Sequence, residues 1–579
     1  MASHKKHVRV ENILDMIDAD DSDLETFDNE SDSDEDWTPN SQNGVQYNSE
    51  SDSSSDDEPL IHLVPQSAST SRNSKPTYCW KKQKFCPPSA DFKGSPLQPD
   101  ENQHLLTPYE YFQKFVTPDM ISSLAENTNL YSIQKTGKCA NTTVKELEQM
   151  VGIFFRMGLV RMASVRQYWE SESSYEPVSG VMSRNRFELL CTMIHFINNA
   201  SIDDQAKRED KLWKIRPWLN AMRKQCLEIV PEEHSSVDEM MCQYRGIRSP
   251  IRQYIKSKPH PWGFKIWARA NSSGLLSDFD VYQGGDGTRT ELGQGGDVVA
   301  KLTSTLPKHE NYKVYADNLF TSIPLLRKLA DDGIYYTGTV RQNRLPGISM
   351  ADESDLRKKG RGSYDYRVDE ESNIAAVRWY DNRAVTMLST TTCLDPIQTT
   401  KRWDKKQKKE LDVPMPAVIR DYNQHMGGVD LLDSFLAKYR FRIKSRRWYI
   451  YLFWHMLSVG LVNAWLMHRR DHKLLNLPKN ELLPQRKFQS YVASALVLVN
   501  ASKKRSLPAS SPLPLSKRQI TNLPCIDIRK DKVSHWPTKA EKRGRCRLCE
   551  VNATTTMCSK CGVRLCFVDD RNCFMNFHN

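Results

Sequence analysis

Six of the fourteen cysteines fall between Cys546 and Cys573, and their spacing suits a metal. The run reads Cys546-x2-Cys549-x8-Cys558-x2-Cys561-x4-Cys566-x6-Cys573-x4-His578. Each Cys-x2-Cys pair offers two thiolates along one edge of a tetrahedron, and two such pairs complete a zinc site. These seven ligands are one short of two closed sites. His535, in His535-Trp536-Pro537, supplies an eighth. Two Zn²⁺ in interleaved or neighbouring sites are the expectation, with the pairing of ligands open. A single structural ion, with Cys566, Cys573 and His578 packed beside it, is the plainer alternative. Arg543, Arg545, Arg547, Lys560 and Arg564 lie among the ligands and suit a grip on DNA. A protein-binding finger is the rival, disfavoured because its histidine would normally lie mid-sequence.

A second set could act on phosphodiesters. Asp238 follows Val237, and Asp317 follows Val314-Tyr315-Ala316, in strand-like runs where an unpaired carboxylate would be costly. Asp430 follows Gly427-Gly428, a pair that lets a helix start approach other backbone closely. Brought together, three such carboxylates would repel and take up protons as they lost hydration, a conflict that divalent cations remove. Two Mg²⁺ at such a triad can activate water or a 3′-hydroxyl on one side and stabilise the leaving oxygen on the other. Asp433, one helical turn beyond Asp430, would be a fourth ligand or a supporting group. Any one of them alone, among 71 acidic residues, would read as solvated or capping.

A third set is basic. Lys438, Arg440, Arg442, Lys444, Arg446 and Arg447 interleave with Tyr439, Phe441 and Trp448, a pattern for phosphate contact with base or sugar packing. A solvated helix face is the bland reading of the same residues.

Elements must position these sets. Leu147, Met150, Val151 and Phe154 mark one face of a helix, Ser183 can cap the next, and Leu212 to Val230 makes another, so residues 106–233 read as helical. From Ser235 the period changes to strand-like runs at 237–241, 264–269 and 275–282, with Asn271 and Gly274 at the last turn. A helix at 298–306, a strand at 312–317, a helix at 323–330 and a strand at 335–340 follow. The order strand, strand, strand, helix, strand, helix is that of a ribonuclease-H-like α/β core. Residues 364–368, 376–380 and 384–388 look like an antiparallel meander in an inserted β-rich unit, closed by the basic run Lys401 to Lys409. Helix returns at Gly427 and continues, with breaks, to about Val499.

The charge balance fits these sites. Residues 11–60 hold 18 acidic and no basic side chains, which leaves 82 Lys and Arg against 53 acids elsewhere, a net charge of +29. A basic body implies a polyanionic partner, most often nucleic acid. The acidic, Ser-rich tail lacks the apolar groups to offset the entropy of folding and reads as disordered. It could be phosphorylated, compete with DNA for the basic body, or simply solubilise. The N-terminus has no apolar segment of a secretory leader. Trp448 to Met467 has the length of a bilayer span, but His455, Ser458 and Asn463 interrupt it and Arg flanks both ends, so it reads as a buried helix and no membrane partner is expected. Lys503-Lys504-Arg505 and Lys517-Arg518 are weak signals for import into a nucleus.

Four segments carry a resemblance. Ser236-Val237-Asp238-Glu239-Met240-Met241, Val314 through Ser322, Asp421-Tyr422-Asn423 with Met426-Gly427-Gly428-Val429-Asp430, and Asn463-Ala464-Trp465 closely resemble piggyBac-family DDE/D transposases and the genes derived from them, in order over about residues 106–579. The resemblance implies a multidomain α/β chain. It would comprise a tail (1–104), a helical dimerisation and DNA-binding domain split into 105–233 and 436–500, a ribonuclease-H-like catalytic core (234–345 and 415–435), a β-rich insertion (346–414), a basic linker (501–534) and a Cys-rich zinc domain (535–579). It implies a homodimer that binds terminal-repeat DNA, excises through hairpinned ends and inserts at TTAA, with Asp238, Asp317 and Asp430 catalytic, Asp433 accessory and two Mg²⁺ at the site. The alternative is a domesticated nuclear protein that binds DNA or chromatin without cutting it. Nothing in the motifs departs from the catalytic pattern.

Overall fold

The computed structural model describes residues 78–95, 104–499 and 523–579, apart from positions 248, 257, 259, 286–289, 405–406 and 443. The acidic segment 11–60 and the basic runs at 503–505 and 517–518 therefore lie outside the described residues.

The longer helices of the first half are α1 (Pro108–Gln113), α2 (Pro118–Thr136), α3 (Val144–Leu159), α4 (Arg184–Met193) and α5 (Arg216–Leu227). Threonine starts three of them. Thr107, Thr117 and Thr143 accept the backbone N–H three residues on, and Pro108 and Pro118 occupy a first-turn position where a missing N–H costs nothing.

A ten-stranded sheet follows. β1 (Trp80–Lys81) comes from the N-terminal segment, and β2 (His234–Gln243), β3 (Gln253–Tyr254), β4 (Trp262–Asn271) and β5 (Leu276–Val281) form its antiparallel part. Helix α6 (Gly293–Thr303) crosses to β6 (Lys313–Ala316), and α7 (Ile323–Asp331) crosses to β7 (Tyr335–Thr339); β6 runs parallel to both β2 and β7. The expected meander is β8 (Tyr364–Asp369), β9 (Ala375–Tyr380) and β10 (Ala384–Ser389). It does not form a separate sheet: β10 pairs antiparallel with β7, so the meander extends the same sheet. Of the strands in this expected insertion, the hairpin of β11 (Gln398–Asp404) and β12 (Lys409–Met415) pairs only within itself.

Each face of the sheet has its own cover. Val237, Trp267, Val314, Ala316 and Tyr336 pack against Val299, Leu302, Leu325, Leu326 and Leu329 of α6 and α7. On the other face Met240, Cys242, Phe264, Ile266 and Leu276 share one core with the helical layer, including Phe154, Leu219, Met222 and Phe453. That layer is completed by α8 (Ala417–His425), α9 (Gly428–Lys438), α10 (Trp448–Leu474) and α11 (Gln485–Leu498). Helix α10 is, among the described residues, the one long and apolar enough to cross a bilayer, and 89% of its most apolar stretch is buried inside the protein. A helix covered on all sides needs no polar face.

Asn463 of α10 explains one of the motifs. Its carbonyl oxygen accepts the Leu276 N–H at 3.0 Å and its amide donates to the Leu276 carbonyl at 2.9 Å, so a side chain completes the ladder of β5. Trp465 donates its indole N–H to Leu483 O at 2.9 Å and fixes the chain after α10.

One expectation is corrected. Residues 78–95, assigned by composition to the disordered tail, lie along the sheet: β1 pairs with β8, Phe85 packs with Val368, Val377 and Trp379, and Phe92 meets the Tyr312 ring edge-on at 5.1 Å. Averaging over an acidic window hides a few aromatic anchors spaced for an extended strap.

Asn463→Leu keeps the volume and leaves both Leu276 backbone groups buried without partners. It should destabilise the protein by about 3 kcal/mol, read as a lowered urea midpoint with DNA-independent folding otherwise intact.

Candidate active site and metal-binding module

Parallel pairing of β2 with β6 sets the first two carboxylates. Val237 lies opposite Ala316, so Asp238 and Asp317 are the next residues on adjoining strands. The Glu239 N–H donates to Asp238 Oδ1 at 2.8 Å. Burial pushes the Asp238 carboxyl up to about 7, against that N–H and Lys258, with Asp317 and Asp430 adding to the rise. The Leu319 N–H donates to Asp317 Oδ1 at 2.8 Å, and the Thr321 hydroxyl to its carbonyl at 2.9 Å. Burial raises the Asp317 carboxyl too, opposed by the Leu319 N–H, Arg341, Lys258 and Arg344.

Helix α9 delivers the other two. A Cβ on Gly428 would lie 2.2 Å from Asn271 O and 2.8 Å from Ser236 Oγ, so only glycine lets the helix start seat on β2 and β4; Gly427 has no such neighbour. Asp430 then sits in the first turn, 74% exposed and 4.0 Å from Lys258 Nζ. Asp433, one turn on, is half-buried, and burial pushes its carboxyl up to about 7, with Lys258 opposing. Tyr422 of α8 closes the group: burial raises its phenol, and Asp317, Asp238 and Asp430 add to the rise.

Three residues escaped the sequence reading. Arg344 donates to the carbonyls of Asn318 and Leu319, both at 3.0 Å, and of Thr321 at 3.1 Å, clamping the turn that carries Asp317. Arg341 donates to Asn318 Oδ1 at 3.0 Å. Lys258 donates to Glu239 O at 2.9 Å, beside all four aspartates. No motif marks them; they reach the site only through the fold.

Asp238, Asp317 and Asp433, half-buried with raised pKa values, are oxygen donors that suit a hard divalent cation better than a soft one. The four carboxylates are not drawn into one tight cluster. Among the described residues, groups of three or more ligand atoms within 4.8 Å of one another occur only in the C-terminal module.

That module sorts the eight candidate residues into two groups. One group is Cys546, Cys549, Cys566 and Cys573; the other is His535, Cys558, Cys561 and His578. The two groups interleave along the chain, and His535 falls in the second of them. All-thiolate and thiolate–imidazole sets are ones that hold zinc. Both histidines are oriented for it: Nδ1 of His535 lies 3.3 Å from Cys558 Sγ, while its Nε2 faces Asp531 Oδ1 and Ile528 O, both at 2.9 Å. His578 turns Nε2 to Cys561 Sγ at 3.4 Å and Nδ1 to Phe574 O at 2.7 Å. Such outer partners fix the tautomer and the ring. Lys560 in turn bonds Asp531.

The module begins before residue 535. Helix α12 (Ile526–Lys530), expected as linker, buries Ile528 in the helical core, and Asp527 accepts the Thr107 hydroxyl at 2.7 Å. Two strands, β13 (Pro537–Arg545) and β14 (Ala553–Cys558), and the terminal helix α13 (Cys573–His578) complete it.

The basic set is only partly as expected. Residues 439–442 and 444–447, between α9 and α10, are irregular instead of helical. Lys438, Arg442, Lys444 and Arg446 are exposed, Arg440 is half-buried, and Arg447 is buried, donating to Ile194 O at 2.9 Å and to Cys191 O. Arg447 therefore holds helical-layer carbonyls and is withdrawn from any phosphate. Phe441 packs in the core against Tyr168, and Trp448 against Phe264, so neither is a base-stacking platform.

Comparisons with known proteins bear on the chain as a whole. A family model described as Transposase IS4 matches residues 107–465. The chain is 32% identical over 467 residues to the human PiggyBac transposable element-derived protein 3, covering 79% of this chain and 74% of that protein. It is 31% identical over 486 residues to the human PiggyBac transposable element-derived protein 2, covering 82% and 78%. A cryo-EM structure of the piggyBac transposase synaptic complex with hairpin DNA matches with a TM-score of 0.59 at 22% identity, over 82% of this chain and 99% of that one. At that identity the likeness is one of fold.

Two outcomes follow from the site chemistry. A carboxyl that keeps its proton to about pH 7 when folded, against 3.8 as the reference value, binds more protons in the native state between those limits. Stability then falls as pH rises through that window and stays reduced above it. Asp433→Asn removes the burden, so without Mg²⁺ its melting temperature at pH 8 should exceed wild type by roughly 2 °C, with the gain gone at pH 4; a pH-independent difference would put Asp433 in solvent. In the module, metal analysis of the full chain should give about two zinc ions per chain, and His535→Ala about one; an unchanged count would remove His535 from the ligands.

Proposed function

The chain belongs to the piggyBac family of transposases and transposase-derived proteins, and on that premise we propose that it is a DNA transposase. It would cut and join phosphodiesters at transposon ends and at TTAA targets. The observation that carries this is the placement of Asp238 and Asp317, at the end of the parallel β2–β6 pairing, on one side of the sheet with Asp430, whose helix is seated by the Gly428 contact and whose charge acts on Asp238. The sheet path β5-β4-β2-β6-β7, three antiparallel strands and then two parallel ones, supports a ribonuclease-H-like catalytic core.

In this reading Asp238, Asp317 and Asp430 hold two Mg²⁺, and Asp433 steadies Asp430 from the next turn. When bound, the ions supply activation of a water or 3′-hydroxyl and neutralisation of the leaving oxygen. The chain's own residues do the rest. Asp238 and Asp317 must lose their protons, which favours activity at or above pH 7 for Asp238. Arg344 keeps the Asp317 turn from moving as charge changes beside it. No side chain is required as a nucleophile. Lys438, Arg440, Arg442, Lys444 and Arg446 track the phosphates of bound duplex, and the C-terminal module, holding two Zn²⁺, presents Arg543, Arg545, Arg547 and Arg564 to terminal-repeat DNA, whereas Lys560 is buried against Asp531 and is withdrawn from that set. A homodimer working in the nucleus completes the proposal.

A second reading is supported by the relatives, whose names describe them as derived from transposable elements: a protein that binds DNA or chromatin without cutting.

Strand transfer of a 3′-hydroxyl-ended duplex into a TTAA-containing supercoiled plasmid, in Mg²⁺, separates the two. Wild type should give nicked and linear products. Asp238→Asn, Asp317→Asn and Asp430→Asn should each lower the rate by roughly 1,000-fold, the worth of several kcal/mol of charge stabilisation, with plasmid binding within about twofold. Asp433→Asn should be milder. Binding by wild type with no product would establish the non-cutting reading.

A further inference from the structure

Four aspartates share one cation. Arg341 and Arg344 act on Asp317, and Arg440 acts on Asp433, but Lys258 acts on Asp238, Asp317 and Asp433 alike and stands 4.0 Å from Asp430. Its side chain is 19% exposed, and its ammonium is anchored by a 2.9 Å hydrogen bond to Glu239 O, the carbonyl of the residue after Asp238. It comes from the connection between β3 and β4, which is closed on itself by the Ile255 N–H to Pro261 O bond at 2.8 Å and the Lys258 N–H to Ile255 O bond at 3.2 Å. The base of this side chain is therefore fixed, while its four-carbon stem can swing.

Resting on the catalytic reading above, we infer that Lys258 is the resident counter-cation of the site. In the metal-free chain its ammonium balances part of the charge of the four carboxylates, and when divalent ions enter it is displaced onto the phosphate of the bound strand. Two consequences have opposite signs. A fixed positive charge beside the carboxylates repels an incoming divalent ion, so removing it favours metal. An ammonium delivered to the phosphate favours the charged transition state, so removing it disfavours strand transfer. A lysine that only supports the local fold would weaken both.

The test is calorimetric titration of the full-length, zinc-loaded chain with Mg²⁺ at pH 8, paired with the plasmid strand-transfer assay at saturating Mg²⁺. Lys258→Met should bind Mg²⁺ about three- to tenfold more tightly and transfer strands roughly 10- to 100-fold more slowly. Lys258→Arg, which keeps the charge, should hold Mg²⁺ as wild type does and recover much of the transfer rate. Lys258→Gln provides the same comparison should the methionine variant fail to fold. Unchanged or weaker Mg²⁺ binding by a folded charge-removing variant overturns the inference and leaves the transposase reading standing. Absence of Mg²⁺ binding by wild type overturns both.

Discussion

Carboxylates placed side by side at the rim of an apolar sheet repel one another and lose hydration, and everything around them answers to that cost. Asp238, Asp317 and Asp433 all carry raised pKa values with burial as the leading cause. The compensation is local and built from backbone. The Glu239 and Leu319 N–H groups each hold one carboxylate oxygen at 2.8 Å, and the Arg344 guanidinium binds three carbonyls of the turn that presents Asp317. The acids are thereby kept in place whether charged or not, which a site that must exchange protons for cations requires.

Holding the acids also dictates how the chain is folded around them. Asp317 and Asp430 are separated by the whole meander and the β11–β12 hairpin, so a long excursion must return to the same end of the sheet, where both act on Asp238. The excursion is absorbed by making its first three strands part of the sheet. Helix α8 is tied back on the return: Asp421 accepts the Tyr315 hydroxyl at 3.1 to 3.2 Å, and His425 stacks on His234 at 3.8 Å. Gly428 then brings α9 onto β4 at a distance no other residue permits. The helical layer behind is not a separate body, because Met240, Cys242 and Phe264 of the sheet share its core and Asn463 completes the edge of β5.

The C-terminal module works on another principle. Its buried cluster is small and made largely of the ligand cysteines with Val563, Leu565, Phe574 and Phe577. Cysteines held that close could share a metal, and where a unit of this size is closed by one its folding free energy is largely its metal affinity. The outer partners of His535 are the α12 carbonyl of Ile528 and Asp531, and Ile528 is itself in the helical core. The geometry of one candidate metal group is thus continuous with the helical core against which α12 packs.

Much of this was legible from residue order. Strand and helix runs in the core carry local periodicity, a property of neighbouring residues, and they appear where the sequence places them. The four aspartates and eight zinc-type ligands could also be named, since metal-binding residue types at short spacing are local signals. Tertiary structure decided what is non-local. Whether an edge strand joins a neighbouring sheet depends on an unpaired partner elsewhere, so the meander's attachment to β7 could not be read from its own alternation. Composition averaged over a tail concealed Phe85 and Phe92, whose anchoring depends on a groove that exists only once the sheet is built. A basic run records charge but not direction, which is why Arg447 and Phe441 turn inward while their neighbours face solvent. Lys258 and Arg344 join the site because loops far apart in sequence close over the same strand ends, and only the folded chain brings them there.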